Sequence, residues 1–259
     1  MNAIKIILFC FTWACFGQET MTAKLISKHS YKHQNIIKVD NFGTTYSFQG
    51  NTFYTIGTKG KLEYSNVQLG TITSANAFNP LKINLFYKDF NTLVILDNRL
   101  SEITKTDFNT LEPFRLPTHL TTANDNRVWL FNDNTLQLEL FDYLNNKTIL
   151  NTFPITGKPL DLKSNYNYCW LLTATHFYIF NYFGSLILKD VNSGFTEILE
   201  YKDQLILKRE NNLYVTKKSN FKTKVIALPK LLIKQFFVVD ETLYIYDGNN
   251  TYQFQLIND

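Results

Sequence analysis

Residue types able to do chemistry are sparse in this chain of 259 residues. Its four histidines are His29, His33, His119 and His176, and only the first two lie close together in sequence. Those two stand four residues apart in an expected strand and loop, whereas that spacing serves a metal ion when both side chains share one face of a helix. The chain also has no Gly-rich phosphate loop, GxSxG turn or HExxH motif. The sequence therefore predicts no metal site and no cofactor.

Basic residues are concentrated in one segment, although the net charge of the whole chain is only +4. Between positions 202 and 234, nine basic residues accompany only two acidic ones, Asp203 and Glu210. The basic residues are Lys202, Lys208, Arg209, Lys217, Lys218, Lys222, Lys224, Lys230 and Lys234. Of these, Lys217, Lys218 and Lys222 cluster at one predicted turn and are the candidate binding residues. Two interpretations stay open: a solvated rim that resists aggregation, or a docking patch for an acidic envelope protein or an anionic envelope polymer.

The elements that must position these residues are clearest between Leu116 and Asn151. This stretch predicts four short strands, because apolar residues alternate or run together between polar turns. Asn and Asp favour such turns because they tolerate left-handed backbone and bond their own main chain. The second strand, Val128–Phe131, is apolar on both faces. A small sheet of this kind needs a neighbour on each side, and copies of itself could supply both.

Copies of this unit recur along the chain, marked by an Asp before the second strand and an Asn before the third. The Asp positions are Asp40, Asp89, Asp125, Asp203 and Asp240, with Tyr166 in that place in one divergent copy. The Asn positions are Asn51, Asn98, Asn134, Asn212 and Asn250, with Thr175 in the divergent copy. A spacing of about 40 residues that holds four strands is typical of a β-propeller blade. Six signatures predict an all-β fold, a six-bladed β-propeller of four-stranded antiparallel blades.

The repeat also predicts how the ring begins and ends. The last copy lacks a fourth strand, so an N-terminal strand, Thr22–Lys28, is expected to complete the last blade and close the ring. In the second blade, Leu81–Tyr87 is the expected inner strand, with a weak fourth strand near Leu111 and a long projecting loop over Ser65–Pro80. The repeated Asp residues are expected to cap their own turns. Since no linker interrupts the repeats, residues 18–259 are expected to form a single domain.

Residues 1–17 have the features of a secretory signal peptide. One basic residue precedes an apolar stretch that is too short to span a bilayer, and Cys15 and Gly17 supply small residues before the expected cleavage point. A buried N-terminal strand and a lipoprotein anchored through Cys15 are the less favoured alternatives. Cleavage after Gly17 leaves Cys169 as a single, buried thiol without a disulfide framework. The expected location is the periplasm or the cell exterior, with no transmembrane segment in the mature chain.

The repeats resemble secreted bacterial β-propellers of the WD40-like and YVTN-like kind over nearly all of the mature chain. The resemblance lies in the period and the turn pattern, since the GH…WD pairs of WD40 repeats and the tryptophan-docking repeats of quinoprotein propellers are absent. Such a resemblance implies a rigid disk that presents loops to partners, and it carries no activity with it.

Two functions remain open at this point. The first is a non-catalytic protein-interaction scaffold of the bacterial envelope, for instance in outer-membrane assembly or secretion, acting as a monomer or within a hetero-complex and without nucleic acid. The second is a propeller that binds a glycan or small ligand in an axial pocket, or hydrolyses it. Asp161, Glu197 and Glu200 are the carboxylates expected near the axis, and two of them share one strand. Carboxylates that face each other there would favour the second function, and an apolar or plugged axis would favour the first.

Overall fold

The computed structural model describes residues 21–30, 35–58, 60–217 and 221–258. These residues form 24 β-strands and three short 3-10 helices, which are Val67–Leu69, Lys88–Phe90 and Phe108–Thr110. The predicted all-β character is confirmed. No helix in the four described ranges has the length and apolarity needed to cross a membrane. The proposed signal peptide, residues 1–17, lies outside the described residues.

The strands group into six units of four, each antiparallel, resembling propeller blades. Unit one contains β2 (Asn35–Val39), β3 (Thr45–Gln49), β4 (Thr52–Gly57) and β5 (Gly60–Ser65). Unit two contains β6 (Ser74–Asn76), β7 (Ile83–Tyr87), β8 (Thr92–Leu96) and β9 (Glu102–Asp107). Unit three contains β10 (Pro117–Thr122), β11 (Arg127–Asn132), β12 (Gln137–Asp142) and β13 (Lys147–Asn151). Unit four contains β14 (Pro159–Ser164), β15 (Tyr168–Thr173), β16 (His176–Asn181) and β17 (Leu186–Val191). Unit five contains β18 (Glu197–Tyr201), β19 (Gln204–Arg209), β20 (Asn212–Lys217) and β21 (Lys224–Ala227). Unit six contains β22 (Gln235–Val239), β23 (Thr242–Tyr246), β24 (Asn250–Asn258) and the N-terminal β1 (Met21–Ser30).

The hydrophobic core lies between the units. Five apolar clusters each combine side chains from two consecutive units, from the one–two junction to the five–six junction. Trp129 packs in the cluster between units three and four, and Trp170 packs in the cluster between units four and five. Both side chains are buried. The second strands are apolar on both faces because each unit has a neighbouring sheet on either side.

The repeated aspartates shape their turns in two ways. At Asp40, the predicted side-chain cap is present, since Oδ1 accepts bonds of 2.9 Å from the N–H groups of Phe42 and Thr44. At Asp125 and Asp240, the backbone is left-handed, with φ angles of 54° and 53°. Asp adopts that conformation more readily than most residues, which accounts for Asp125 and Asp240. Among the five repeated aspartates, all of them within the described residues, the predicted side-chain cap is present only at Asp40.

The predicted frame of unit two is wrong by one strand. The inner strand is β6, within the stretch expected to be a long loop, and the stretch expected to be innermost forms β7, the second strand. The fourth strand is β9 rather than a strand near Leu111. The short β6 carries a single apolar residue, Ala75, so no hydrophobic pattern marks it. In contrast, β7 is buried throughout, and its apolar pattern led to its prediction as the inner strand.

The predicted N-terminal closing strand is confirmed. β1 pairs antiparallel with β24 along its length, from Met21 opposite Asn258 to Ser30 opposite Asn250. Its first residues also pair in parallel with β21, so units five and six share one eight-stranded sheet. β1 therefore covers two strand edges that would otherwise be exposed.

Hydrogen bonds connect every unit to the next around the axis, including the last unit to the first. They join Lys38 Nζ to Ala77 O (3.0 Å), Asn76 Nδ2 to Thr121 Oγ1 (3.2 Å), Thr121 Oγ1 to Ser164 Oγ (3.0 Å), Ile198 N to Asp161 Oδ2 (2.7 Å), Lys202 Nζ to Glu241 Oε1 (2.7 Å) and Gln235 Nε2 to Ile36 O (2.7 Å). These bonds link neighbouring units around a central space, and the Lys202–Glu241 contact does so between exposed turn residues.

Candidate functional site

The inner strands enclose a cavity of about 580 Å³ on the axis. Its walls are the backbones of β2, β6, β14, β18 and β22. Its polar lining residues include Lys38, Asn76, Asp161, Lys163, Glu197, Glu200 and Gln235. As formed by the described residues, the axial cavity is open and partly polar, and all three carboxylates expected near the axis line it.

Each axial carboxylate is already engaged by neighbouring protein groups. Asp161 Oδ1 lies 3.0 Å from Lys163 Nζ, and its Oδ2 accepts the backbone N–H of Ile198. Its role is to tie unit four to unit five.

The two glutamates of β18 are also occupied. Glu197 forms an ion pair with Lys208, while Glu200 Oε1 accepts a hydrogen bond of 2.6 Å from Asn165 Nδ2. The two lie three residues apart on one strand, and side chains at that spacing point to opposite faces. Glu197 and Glu200 consequently do not form with each other the facing pair that glycoside hydrolysis requires.

Lys38 adds a polar group to the axial cavity that was not predicted there from the sequence, whereas His119 lies on the inner strand β10, outside the lining of that cavity. Lys38 Nζ donates to the carbonyl oxygens of Ala77 and Phe78 at 3.0 and 3.1 Å. Burial lowers the pKa of Lys38, although the Asp40 carboxylate opposes the shift. Burial also lowers the pKa of His119, which favours a neutral imidazole there. Neither residue type stands out in the sequence, because their placement depends on strands that meet only in the folded ring.

Among the described residues, no group of three or more His, Cys, Asp or Glu side chains is arranged to hold a metal ion. Cys169 is a free thiol and fully buried, as predicted. Burial raises its pKa well above the usual value. A thiol of this kind is a packing residue, since the reactive thiolate is disfavoured.

The predicted basic residues lie around the turn that follows β20. Lys217 ends that strand and stands opposite Gln204, next to the Asp203 turn of the same unit. Lys222 begins the return towards β21, and both side chains are exposed. Lys218 lies outside the described residues. Lys217 and Lys222 therefore flank residues 218–220, and their role as binding residues stays a prediction.

Phe221, next to Lys222, packs against the neighbouring unit. Its ring stacks on Phe177 of unit four, with centroids 4.3 Å apart, and meets Phe195 edge-on at 5.7 Å. Phe221, the residue before Lys222, is therefore held against the neighbouring unit. Phe221 was not identified from the sequence, where its only local signal is an aromatic residue within a basic segment.

No protein-family model matches the chain, and no curated protein matches it in sequence. Solved structures do match. Virginiamycin B lyase from Staphylococcus aureus, solved with quinupristin as an inactive variant, has a TM-score of 0.64 at 12% identity over 86% of this chain and 80% of its own. The WD40 domain of Neurospora crassa Pan2 has a TM-score of 0.60 at 10% identity over 88% of this chain and 75% of its own.

PorZ from Porphyromonas gingivalis, described as an essential bacterial surface component of the type-IX secretion system, also resembles the chain. The match has a TM-score of 0.55 at 15% identity, and it covers 91% of this chain but 34% of PorZ. Together with the four-stranded units, these likenesses show that the chain has a β-propeller fold. The WD40-like and YVTN-like resemblance is thereby confirmed at the level of fold.

Proposed function

We propose that residues 18–259 form a single, six-bladed propeller domain that acts as a non-catalytic protein-interaction scaffold in the bacterial envelope. Its docking residues are Lys217, Lys218 and Lys222, and its partner is an acidic envelope protein or an anionic envelope polymer. The observation that carries this proposal is the exposure of two lysines beside a packed aromatic ring. Phe221 is held between units four and five while Lys217 and Lys222 remain exposed on either side of it.

The exposed lysines are proposed to attract an acidic partner electrostatically. A positive patch on a rigid support attracts acidic partners over roughly a Debye length, about 8–10 Å at ordinary salt, and mainly raises the rate of encounter. Because Phe221 packs against unit four, the adjoining Lys222 loses less conformational freedom on binding than a residue in a free loop would. The engaged state of Asp161, Glu197 and Glu200 supports a non-catalytic function, because each carboxylate already has a partner within the protein.

The envelope location and a role in outer-membrane assembly or secretion are part of the same proposal. They are supported by the signal-like residues 1–17 and by the likeness in fold to PorZ, a surface component of a secretion system. An export assay with residues 1–17 fused to a periplasmic reporter tests the location. Retention of the fusion inside the cell would contradict it.

The docking proposal is tested by replacing Lys217, Lys218 and Lys222 together with Glu. A matched control replaces three exposed lysines from other units, Lys105, Lys147 and Lys158, so that both variants carry the same net charge. Partners captured from an envelope extract are compared, and association rates are measured at low and high salt.

We expect the turn variant to associate at least several-fold more slowly at low salt, with convergence at high salt. The control variant should behave as the unmodified protein. Equal slowing in both variants would mean that net charge alone matters. Unchanged capture by the turn variant would assign the lysines to a solubilising rim.

A second function, binding of a glycan or small ligand at the axis, is favoured by the open cavity of about 580 Å³. Its size is within the usual range for ligand sites. Lys38→Gln should lower the affinity for such a ligand, because Lys38 lines the cavity. A ligand whose affinity is indifferent to Lys38→Gln and to Glu200→Gln would not be bound at the axis.

A further inference from the structure

A second concave surface lies off the axis, on the disk face that carries the turns between first and second strands. It is a shallow groove of about 540 Å³. Four turns from units two, three and four supply its lining, which consists of Asn79, Lys82, Asn124, Asp125, Tyr166, Asn167 and Tyr182. We call this surface the turn groove. The basic turn of unit five lies on the same disk face, because the strands alternate in direction.

Aromatic rings stand along the turn groove and remain exposed to solvent. Tyr166 and Tyr182 are 43% and 41% exposed, and Phe183, adjoining Tyr182 with ring centroids 3.8 Å apart, is 65% exposed. The Tyr166 ring is held edge-on by Phe78 at a centroid distance of 4.9 Å. Exposed rings on a fixed support offer contact area at a low cost in conformational entropy.

The turns that carry these rings are rigid. Asn165 Oδ1 accepts the N–H groups of Asn167 and Tyr168, both at 2.9 Å. Asn181 Oδ1 does the same for Phe183 and Ser185, at 3.0 and 2.9 Å. The side chains of Asn165 and Asn181 therefore hold the turn backbone in place before a ligand binds. This lowers the conformational entropy that is lost on binding.

The polar groups of the turn groove are close to neutral overall. Lys82 Nζ donates hydrogen bonds to Asp125 O at 2.8 Å and to Asn126 Oδ1 at 2.9 Å. The negative charge of the Asp125 carboxylate offsets the positive charge of Lys82. In contrast, the carboxamides of Asn124 and Asn167 have no hydrogen-bond partner among the described residues. Each carboxamide offers both donors and acceptors, so the free hydrogen-bonding capacity is uncharged.

We propose that the turn groove binds a short neutral oligosaccharide. A pyranose ring has an apolar C–H face that stacks on an aromatic ring and a rim of hydroxyl groups that both donate and accept hydrogen bonds. Tyr166 and Tyr182 supply the rings, and Asn124 and Asn167 supply the matching amides. The near-neutral lining favours uncharged sugars over acidic ones. This site goes beyond the docking function, since it uses neither the basic turn nor the axis.

The test uses the full mature chain and three defined probes: maltotriose, cellotriose and the trimer of N-acetylglucosamine. Binding is measured by titration calorimetry and by saturation-transfer NMR. At least one probe should bind, and Tyr166→Ala or Tyr182→Ala should weaken it about tenfold each, the equivalent of one stacked ring. Asn167→Ala should weaken it several-fold.

Phe42→Ala is the matched control, because Phe42 is an 86% exposed aromatic residue on a unit-one turn of the same face. This variant should bind the probe with unchanged affinity. If Tyr166→Ala fails to fold, Tyr182→Ala provides the test, because the Tyr182 ring is 41% exposed. The proposal is overturned when none of the probes binds at millimolar concentration. It is equally overturned if a probe binds the Tyr182→Ala variant with unchanged affinity. A probe whose binding is abolished by Lys38→Gln occupies the axial cavity and would also overturn the proposal.

Discussion

The buried ion pair between Arg115 and Glu139 provides the sharpest test of how this propeller is stabilised. Arg115 Nε lies 3.0 Å from Glu139 Oε2, and the two side chains are 3% and 5% exposed. Thr148 Oγ1 donates to the same carboxylate at 2.7 Å, and Asn132 Nδ2 donates to its other oxygen at 2.6 Å. Glu139 is thus the common acceptor for three donors in the interior of unit three.

Replacing Glu139 with Leu should be strongly destabilising. At 3.0 Å, two unit charges attract by about 5 kcal/mol at an effective dielectric constant of 20. Loss of one partner also leaves the Arg115 guanidinium buried without its counter-charge, and such losses cost about 3–5 kcal/mol. That is a large part of the total stability of a folded domain, which is roughly 5–15 kcal/mol.

The double variant Arg115→Met with Glu139→Leu should recover most of this loss, since no buried charge remains. We expect it to stay about 1–2 kcal/mol less stable than the unmodified protein, because Thr148 and Asn132 still lose their acceptor. Equilibrium unfolding in urea measures the free energy of unfolding of Glu139→Leu, of the double variant and of a control. Glu63→Leu is the matched control: it breaks the exposed Lys61–Glu63 pair and should cost less than about 1 kcal/mol. A double variant that is no more stable than Glu139→Leu would refute this reasoning.

Three further predictions concern closure, core and pH. Deleting residues 18–30 removes β1, so the melting temperature and solubility should fall as the edges of β24 and β21 are exposed; an unchanged melting temperature would argue against the closing role. Trp129→Ala and Trp170→Ala should each cost about 3–5 kcal/mol in urea unfolding, and the two losses should add because the rings lie in different clusters. Hydrogen bonds from the N–H groups of Asn250 and Asn249 lower the pKa of Asp247 to about 2 from its ordinary 3.8. Its stabilising effect is therefore complete above the ordinary value and is lost as the pH falls towards 2; Asp247→Asn should flatten the pH dependence of the unfolding free energy there, and an unaltered slope would contradict this.

The sequence alone determined the repeat and its consequences. Turn residues with left-handed or self-capping preferences, such as Asp40 and Asp125, are local features, and the doubly apolar strand around Trp129 requires neighbours on both faces. From these, the four-stranded units, the burial of Trp129 and Trp170 and the closing strand could all be predicted. The basic cluster of Lys217 and Lys222 was also visible, because the two residues lie at one turn.

Only the tertiary structure decided features that join distant parts of the chain. The inner strand of unit two is short and weakly apolar, so its place is fixed by neighbours at the axis and not by its own pattern. Phe221 reaches Phe177 in another unit, and Arg115 meets Glu139 across 24 positions of sequence. The turn groove assembles from turns of units two, three and four. Local periodicity carries no information about which turns or buried charges become neighbours, because those contacts arise only when the units pack into a ring.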